Sequence, residues 1–133
     1  MRSRILVGVV LVIGILAAGT FASNGANVAP KKQWEIVNFA SPVKVNGNLL
    51  AGQYLIVHDE TKMARGEPCT TFYQFDPGKG PQKAEVAFMC RPTQRTICDK
   101  TTLSVAYDPV LGVDKVVEFQ FAGDTEGHGI PGR

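Results

Sequence analysis

The sequence predicts an all-β protein with a single antiparallel β-sandwich, immunoglobulin-like or similar, of about seven to eight short strands. Apolar and polar residues alternate with a period of two in short runs, and turn residues separate these runs. No helical period continues beyond one turn. A small closed barrel is the alternative. The sandwich is favoured because the inward positions show no small residues of the kind that fit the taper of a closed barrel.

The N-terminal residues predict an export signal. Arg2 and Arg4 precede an uninterrupted run of aliphatic residues, Ala and Gly over positions 5–18, which is short for a membrane span. Small residues that suit a signal peptidase follow this run. We therefore expect a signal helix within residues 1–26 and a flexible linker over residues 27–32. The protein is then secreted or periplasmic in a bacterial cell, or anchored to the inner membrane if the signal is not cleaved.

The charge balance argues against a nucleic-acid partner. The chain has 14 Lys and Arg residues and 12 Asp and Glu residues, and loss of Arg2 and Arg4 with the signal leaves 12 of each sign. A neutral domain has no basic face to neutralise a run of phosphates. The partner classes that remain are an envelope protein, a glycan or a small molecule, with membrane contact only through an uncleaved N-terminal segment.

Local alternation predicts the strands of a domain over residues 33–122. The strands are expected, in order, at 33–39, 43–45, 48–50, 53–59, 71–75, 84–90, 101–107 and 116–122. The fourth carries apolar side chains on both faces, as a covered central strand does. The last is the cleanest amphipathic strand, because Val117, Phe119 and Phe121 alternate with Glu118 and Gln120.

Turn chemistry separates these strands. Asn46-Gly47 predicts a two-residue hairpin, because both positions of a type I′ turn need positive φ and these two residue types tolerate it. Residues 76–81 and 91–94 are expected to be turns, and 108–112 a loop. A single helical turn is expected near residues 62–65, because Gly66 and Pro68 stop a longer helix. Residues 123–133 are expected to form a C-terminal tail.

The three cysteines predict a disulfide, because export leads to an oxidising compartment. If residues 72–75 and 84–90 form a hairpin in which Tyr73 faces Val86, Cys69 falls opposite Cys90, at a separation that suits a bridge. A Cys90–Cys98 bridge, which closes a short loop, is the alternative. The sequence does not decide between the two pairings.

The residue types that bind soft metals do not occur at a diagnostic spacing. There is no Cys-x-x-Cys pair, no haem-attachment motif, and no close Cys, His and Met group of the blue-copper kind. The sequence therefore predicts neither a metal site nor a cofactor. His58, Cys98 and His128 would be the residues to consider if the protein were a metal- or haem-binding electron-transfer protein.

Catalytic motifs are likewise not found. The chain has no Gly-x-Ser-x-Gly nucleophile motif, so a small secreted hydrolase is the third hypothesis, and no catalytic residue is predicted. Trp34, Tyr54 and Tyr107 are the aromatic residues that would serve a binding surface. The favoured function is an exported, non-catalytic binding or structural module of the cell envelope or extracellular space.

One stretch carries a resemblance. The run Val43-x-Val45-x-Gly47-x-x-Leu50-x-Gly52-x-Tyr54-x-Ile56, with Phe121-Ala122-Gly123-Asp124 and His128, resembles a group of uncharacterised small exported bacterial proteins. Its Leu-x-Gly-x-Tyr opening of a strand is also similar to that of secreted β-sandwich modules, including carbohydrate-binding and carboxypeptidase-regulatory-like domains. The resemblance implies a β-sandwich outside the cytoplasm, and it implies no catalytic residue.

Overall fold

The computed structural model describes residues 29–132, so the expected signal helix lies outside the described residues. Their elements are, in chain order, β1 (Lys32–Val45), β2 (Asn48–Asp59), α1 (Glu60–Ala64), β3 (Thr70–Asp76), β4 (Gly80–Phe88), β5 (Arg91–Gln94), β6 (Thr102–Asp108), β7 (Val113–Gln120) and β8 (Glu126–Gly129). Within this range, no helix has the length and apolar character that a membrane crossing requires.

The strands form one mixed sheet that curls into a half-barrel, which confirms the all-β class. Hydrogen-bonded neighbours follow the order β4-β3-β2-β1-β7-β8-β5, and β6 pairs with β7. The pairing of β1 with β7 is parallel, through Val43–Asp114 and Lys44–Lys115, and the other pairings are antiparallel. This single sheet stands in place of the expected antiparallel sandwich. Alternation shows only that one face is buried, and a curled sheet buries that face against itself.

The hydrophobic core fills the inside of this curl. Phe72 of β3 lies at its centre, with its ring 6.0 Å from that of Phe88 and 6.3 Å from that of Phe119. The buried apolar residues are Phe39, Val45, Leu50, Tyr54, Ile56, Cys69, Phe72, Val86, Phe88, Cys90, Val116, Phe119, Phe121 and Ile130. They come from both ends of the sheet order, so burial of the core holds the sheet in its curled form.

The β1–β2 hairpin is the predicted one. Asn46 has φ 45° and Gly47 has φ 87°, so both turn residues adopt the positive φ that a type I′ turn requires. The hairpin is longer than expected, because β1 joins two predicted strands across an irregularity between Phe39 and Val43. β2 joins two more through Gly52, which has φ 90°.

The β3–β4 hairpin has a different register from the expected one. Val86 pairs with Phe72 and not with Tyr73, and irregularities interrupt the ladder on either side of Tyr73. Phe72 is therefore fully buried, while Tyr73 and Phe75 are only half-buried. A shift by one residue exchanges the two faces of a strand, and the apolar residues on both faces of β3 fit either register.

Three short elements complete the fold. The helical turn is confirmed as α1, and the side chain of Asp59 accepts a hydrogen bond from Thr61 N–H at its N-terminus. β5 lies where a turn was expected, and β8 lies within the expected C-terminal tail. β8 pairs with both β5 and β7, so the last segment of the chain belongs to the sheet.

Candidate metal centre

Four buried side chains gather where the two ends of the curled sheet meet; we call them the Cys–His cluster. His58 lies on β2, Cys69 directly before β3, Cys90 after β4, and His128 on β8. β1 and β7 separate β2 from β8 in the order of the sheet, so the curl brings these residues together. His58 and His128 are 0% exposed, Cys69 is 1% exposed and Cys90 is 4% exposed.

The distances within the Cys–His cluster are short. The two sulfurs are 3.2 Å apart, and Cys90 Sγ is 3.6 Å from His128 Nδ1. The ring centroids of His58 and His128 are 4.2 Å apart. One ligand atom each from His58, Cys69 and Cys90 lie within 4.8 Å of one another, and the same is true of His58, Glu126 and His128. A single metal ion can span each of these two groups of three, and His58 belongs to both.

The backbone around His128 explains why this histidine faces the cluster. In the Gly127-His128-Gly129 segment, a Cβ at Gly127 would lie 2.8 Å from the Glu118 carboxylate, and one at Gly129 would lie 3.2 Å from Arg91 O. Glycine at both positions allows β8 to lie close between β5 and β7. The ring of His128 then stacks on that of Phe119, with centroids 4.8 Å apart and planes at 18°.

The position of His58 is fixed by β2, which lies between β1 and β3 in the sheet. It pairs with Gln33 of β1 on one side and with Thr70 of β3 on the other, so its backbone is fixed from both sides. Tyr54, Ile56 and His58 share the buried face of β2. Cys69 directly precedes Thr70, which brings its sulfur beside His58.

The imidazoles of the cluster lack the hydrogen bonds that buried polar groups normally make. Among residues 29–132, no partner is found for Nδ1 and Nε2 of His58 or for Nε2 of His128. An unsatisfied buried polar group costs about 1–3 kcal/mol, and such groups are rare in native structures. A metal ion bound to His58 would satisfy one of its two unpartnered nitrogens, while at His128 the nitrogen that lies 3.6 Å from Cys90 Sγ is Nδ1, and Nε2 is the unpartnered one.

Both histidines are neutral at pH 7. Burial lowers the pKa of His58 below its ordinary value. Burial, followed by the effect of the neighbouring His58, lowers the pKa of His128 to about 4. Glu126 Oε1 lies 3.5 Å from His128 Nδ1, but a neutral imidazole makes no ion pair with it. Burial raises the pKa of Glu126, whose side chain is 38% exposed and forms the outer edge of the cluster. Neutral imidazole is the form that binds metals.

The two thiols are held side by side by the backbone. Cys90 N–H donates a hydrogen bond to Cys69 Sγ at 3.3 Å, and the Thr70–Phe88 pair closes the adjoining ladder. The sulfurs are not bonded, because a disulfide would place them about 2.04 Å apart. Burial and the hydrogen bond with Cys69 raise the pKa of Cys90 to about 12. Cys90 is therefore a thiol at pH 7 unless an electrophile or a metal ion takes the place of its proton.

We expect the metal-free protein to lose stability as the pH falls from about 6.5 to about 4. His128 has a pKa of about 4 in the folded state, against an ordinary value of 6.5. The unfolded chain binds more protons in this range, so the free energy of unfolding falls by up to about 1.4 kcal/mol per pH unit for this group. Asp124 and Glu118 oppose the shift, and His58 adds to the loss in the same direction. Urea unfolding in the presence of a chelator measures the slope, and equal slopes for the protein and His128→Gln would contradict the assignment.

The other residues singled out from the sequence are dispersed. The Cys98 thiol donates to Phe121 O at 3.4 Å and takes no part in the Cys–His cluster. Tyr54 is a core residue, while Trp34 on β1 and Tyr107 on β6 are exposed. The structure thus brings together His58 and His128 of the three metal candidates, and Cys69 with Cys90 of the two proposed cysteine pairs.

The sequence reasoning did not include Cys69 among the possible metal ligands or Glu126 as a neighbour of the cluster. The four residues of the cluster come from separate segments of the chain, so no short sequence motif indicates them. One signal was present: His58 occupies an inward position on the most apolar strand, where a histidine without a partner is costly.

Comparisons with protein families, curated proteins and solved structures found no match for this chain.

Proposed function

We propose that the protein is an exported all-β domain that binds one zinc-type divalent ion through His58, Cys69, Cys90 and His128. The observation that carries the proposal is the unpartnered imidazole of His58 beside two buried sulfurs, one of which lies 3.6 Å from His128 Nδ1. Two thiolates and two imidazoles are a common ligand set of tetrahedral structural zinc sites. Export, to the periplasm or beyond the cell, is part of the proposal and rests on the N-terminal sequence.

The distances support tetrahedral coordination. Zinc bonds of about 2.3 Å to sulfur and about 2.05 Å to nitrogen place a tetrahedral S–N pair about 3.6 Å apart and an S–S pair about 3.8 Å apart. Cys90 Sγ and His128 Nδ1 are 3.6 Å apart, and the two sulfurs are 3.2 Å apart. Of these two separations, only that of the sulfurs has to increase for both to match a tetrahedral site.

Charge favours a divalent ion over monovalent copper. Two thiolates and two neutral imidazoles carry two negative charges, which a divalent ion cancels. Monovalent copper would leave one negative charge in a site whose protein ligands are at most 4% exposed. An uncompensated buried charge is strongly unfavourable, so the neutral assembly with a divalent ion is preferred.

The role of the ion is structural or storage-related, and not catalytic. Four buried protein ligands complete a tetrahedron, whereas a catalytic zinc keeps one position open for water or substrate. The ion would also tie β2, β3 and β4 to β8, which are distant in the order of the sheet. The proposal therefore gives the expected non-catalytic module a definite ligand. It gives no support to a hydrolase.

A disulfide-stabilised module without metal is the second candidate. The 3.2 Å separation of Cys69 and Cys90 supports it, because a small movement of the side chains would allow a bond. This candidate leaves both unpartnered nitrogens of His58 without an explanation, so the metal site is preferred.

Titration of the reduced, metal-free protein with cobalt(II) tests the proposal. Cobalt(II) reports the geometry and ligands of zinc sites through its visible d–d bands and its thiolate-to-cobalt charge-transfer band. We expect one ion per chain, intense d–d bands of tetrahedral cobalt, and displacement by an equimolar amount of zinc(II). Weak octahedral bands, or no binding above that of a His58→Leu and Cys90→Ser double variant, would refute the proposal.

Single cysteine variants provide the matched comparison. Cys69→Ser should lower the intensity of the charge-transfer band to about half, because one of two thiolates is lost, and should weaken binding on the order of 100-fold or more. Cys98→Ser should leave both the spectrum and the affinity unchanged, because its sulfur contacts Phe121 O and not the cluster. An equal effect of the two substitutions would contradict the assigned ligands.

A further inference from the structure

We infer that the same two sulfurs form a redox switch: oxidation of Cys69 and Cys90 to a disulfide expels the metal ion, and reduction restores the site. This inference deepens the proposed function and rests on it. The switch would regulate metal binding by the Cys–His cluster, and the oxidant is a small-molecule disulfide.

The geometry places the sulfur pair between the two states. The two sulfurs are 3.2 Å apart. This distance lies between the S–S bond length of a disulfide, about 2.04 Å, and the separation of two thiolates on one tetrahedral zinc ion, about 3.8 Å. The backbones are already adjacent, because Cys90 N–H donates to Cys69 Sγ at 3.3 Å. Either state is therefore reached by small side-chain movements, and the β3–β4 ladder can stay intact.

The third cysteine does not compete for this bond. The Cys98 thiol is partly buried and donates to Phe121 O, and Gly123 N–H donates to Cys98 O at 2.7 Å. These contacts hold the Cys98 segment against the end of β7. Oxidation is thus directed to the Cys69–Cys90 pair, and no rearrangement of the fold is needed to select it.

The chemistry is a pair of thiol–disulfide exchanges. One thiolate of the cluster attacks the disulfide of oxidised glutathione, which forms a mixed disulfide and releases one glutathione thiolate. The second cluster thiolate attacks the mixed disulfide, which forms the Cys69–Cys90 bond and releases the second glutathione thiolate. Two electrons pass from the protein sulfurs to glutathione, and the divalent ion leaves to solvent without changing its oxidation state.

The loss of the thiolates removes both ligands and counter-charge. After oxidation, the sulfur atoms carry no charge and the imidazoles of His58 and His128 are neutral. A divalent ion between them would then be an uncompensated buried charge. Glu126, at the outer edge of the cluster, is the carboxylate that lies with His58 and His128 within 4.8 Å. The oxidised site therefore binds the ion far more weakly than the reduced site.

Glu126 lies at the edge of the Cys–His cluster and also lines a surface hollow. A surface hollow of about 230 Å³ is lined by Pro92, Thr93, Gln94, Thr125 and Glu126. Glu126 Oε1 is 3.5 Å from His128 Nδ1, so this carboxylate borders both the hollow and the cluster. In the proposed switch, the ion and the oxidant pass the buried sulfurs on the side of Glu126, whose side chain is 38% exposed.

The test uses the whole protein, reduced and loaded with one equivalent of zinc(II) without oxygen. Oxidised glutathione is added, released zinc is followed with a chromophoric chelator, and the disulfide is located by mass spectrometry after alkylation. We expect one zinc ion released for each Cys69–Cys90 bond formed, and recovery of zinc binding after reduction. Cys98→Ser should give the same stoichiometry.

The outcomes separate this inference from the proposed function. If the oxidised protein carries the Cys69–Cys90 bond and keeps zinc with unchanged affinity, or if oxidation bridges Cys98 instead, the switch is refuted while the metal site stands. If the reduced protein binds no zinc, the proposed function fails and the switch fails with it. Release of zinc in step with the disulfide, with at least a 1,000-fold loss of affinity expected from the loss of both thiolates, supports both.

Discussion

Replacement of His58 by Leu is expected to stabilise the metal-free protein and to remove most of its stabilisation by zinc. Both ring nitrogens of His58 are buried without hydrogen-bond partners among the described residues. An apolar side chain of similar size removes this penalty, so the free energy of unfolding of the metal-free protein should rise by about 1–3 kcal/mol. The same substitution removes one of four ligands.

The zinc effect should be the larger of the two. An ion that binds only the folded state stabilises it by about 4 kcal/mol at a free concentration 1,000-fold above the dissociation constant. For a domain of this size, that corresponds to a rise of roughly 15–30 °C in the midpoint of thermal unfolding. We expect this rise in the reduced protein and in Cys98→Ser, and a rise of only a few degrees at the same zinc concentration in His58→Leu.

Thermal unfolding of reduced protein, with chelator and then with buffered zinc, measures both effects together. The two effects have opposite signs, and a histidine that only packs in the core would leave the zinc response unchanged when it is replaced. A zinc response that persists in His58→Leu would exclude His58 as a ligand. A metal-free His58→Leu that is less stable than the unsubstituted protein would show that its nitrogens are satisfied in solution.

The local features of the fold follow from the sequence because they depend on neighbouring residues. Asn46-Gly47 adopts the expected positive φ values, and the short α1 helix ends before Gly66 as turn chemistry requires. The all-β class follows from alternation. These predictions need no knowledge of which strands pair over long distances.

The long-range features were harder to predict for a physical reason. The parallel contact of β1 with β7 decides between a curled sheet and a sandwich, yet it involves only two residue pairs. β8 lies in a glycine-rich segment whose strand conformation depends on the close approach of Glu118 and Arg91, and no alternation marks it. His128 reaches the cluster only because of this strand, so the candidate site was hidden with it.

The proximity of Cys69 and Cys90 was expected, although the register used to argue it was not the observed one. Both registers place the start of β3 near the end of β4, and a shift of one residue moves the side chains of Tyr73 and Phe72 but hardly changes the distance between the strand ends. A change of register therefore alters which face each side chain occupies much more than it alters the distance between the ends of the two strands.

The register of the β1–β2 hairpin leads to the second large effect. Leu50 is 1% exposed and pairs with Val43, while the adjacent Leu49 is 57% exposed and pairs with Lys44. Leu50→Ala deletes the same atoms as Leu49→Ala, but it does so inside the curled sheet. We expect Leu50→Ala to lower the free energy of unfolding by about 3–5 kcal/mol, because it removes buried apolar surface and leaves a cavity.

Leu49→Ala is the matched control, and it should cost less than about 1 kcal/mol because its side chain lies largely in water. Urea unfolding of both variants, with reductant and chelator in every sample, compares the two positions without a contribution from metal or disulfide. A hairpin shifted by one residue would reverse the order, since period-two geometry would turn Leu49 inward and Leu50 outward. The difference between two adjacent leucines therefore reads the register of the hairpin whose second strand carries His58. A larger loss in Leu49→Ala would remove the basis for placing that imidazole beside the sulfurs.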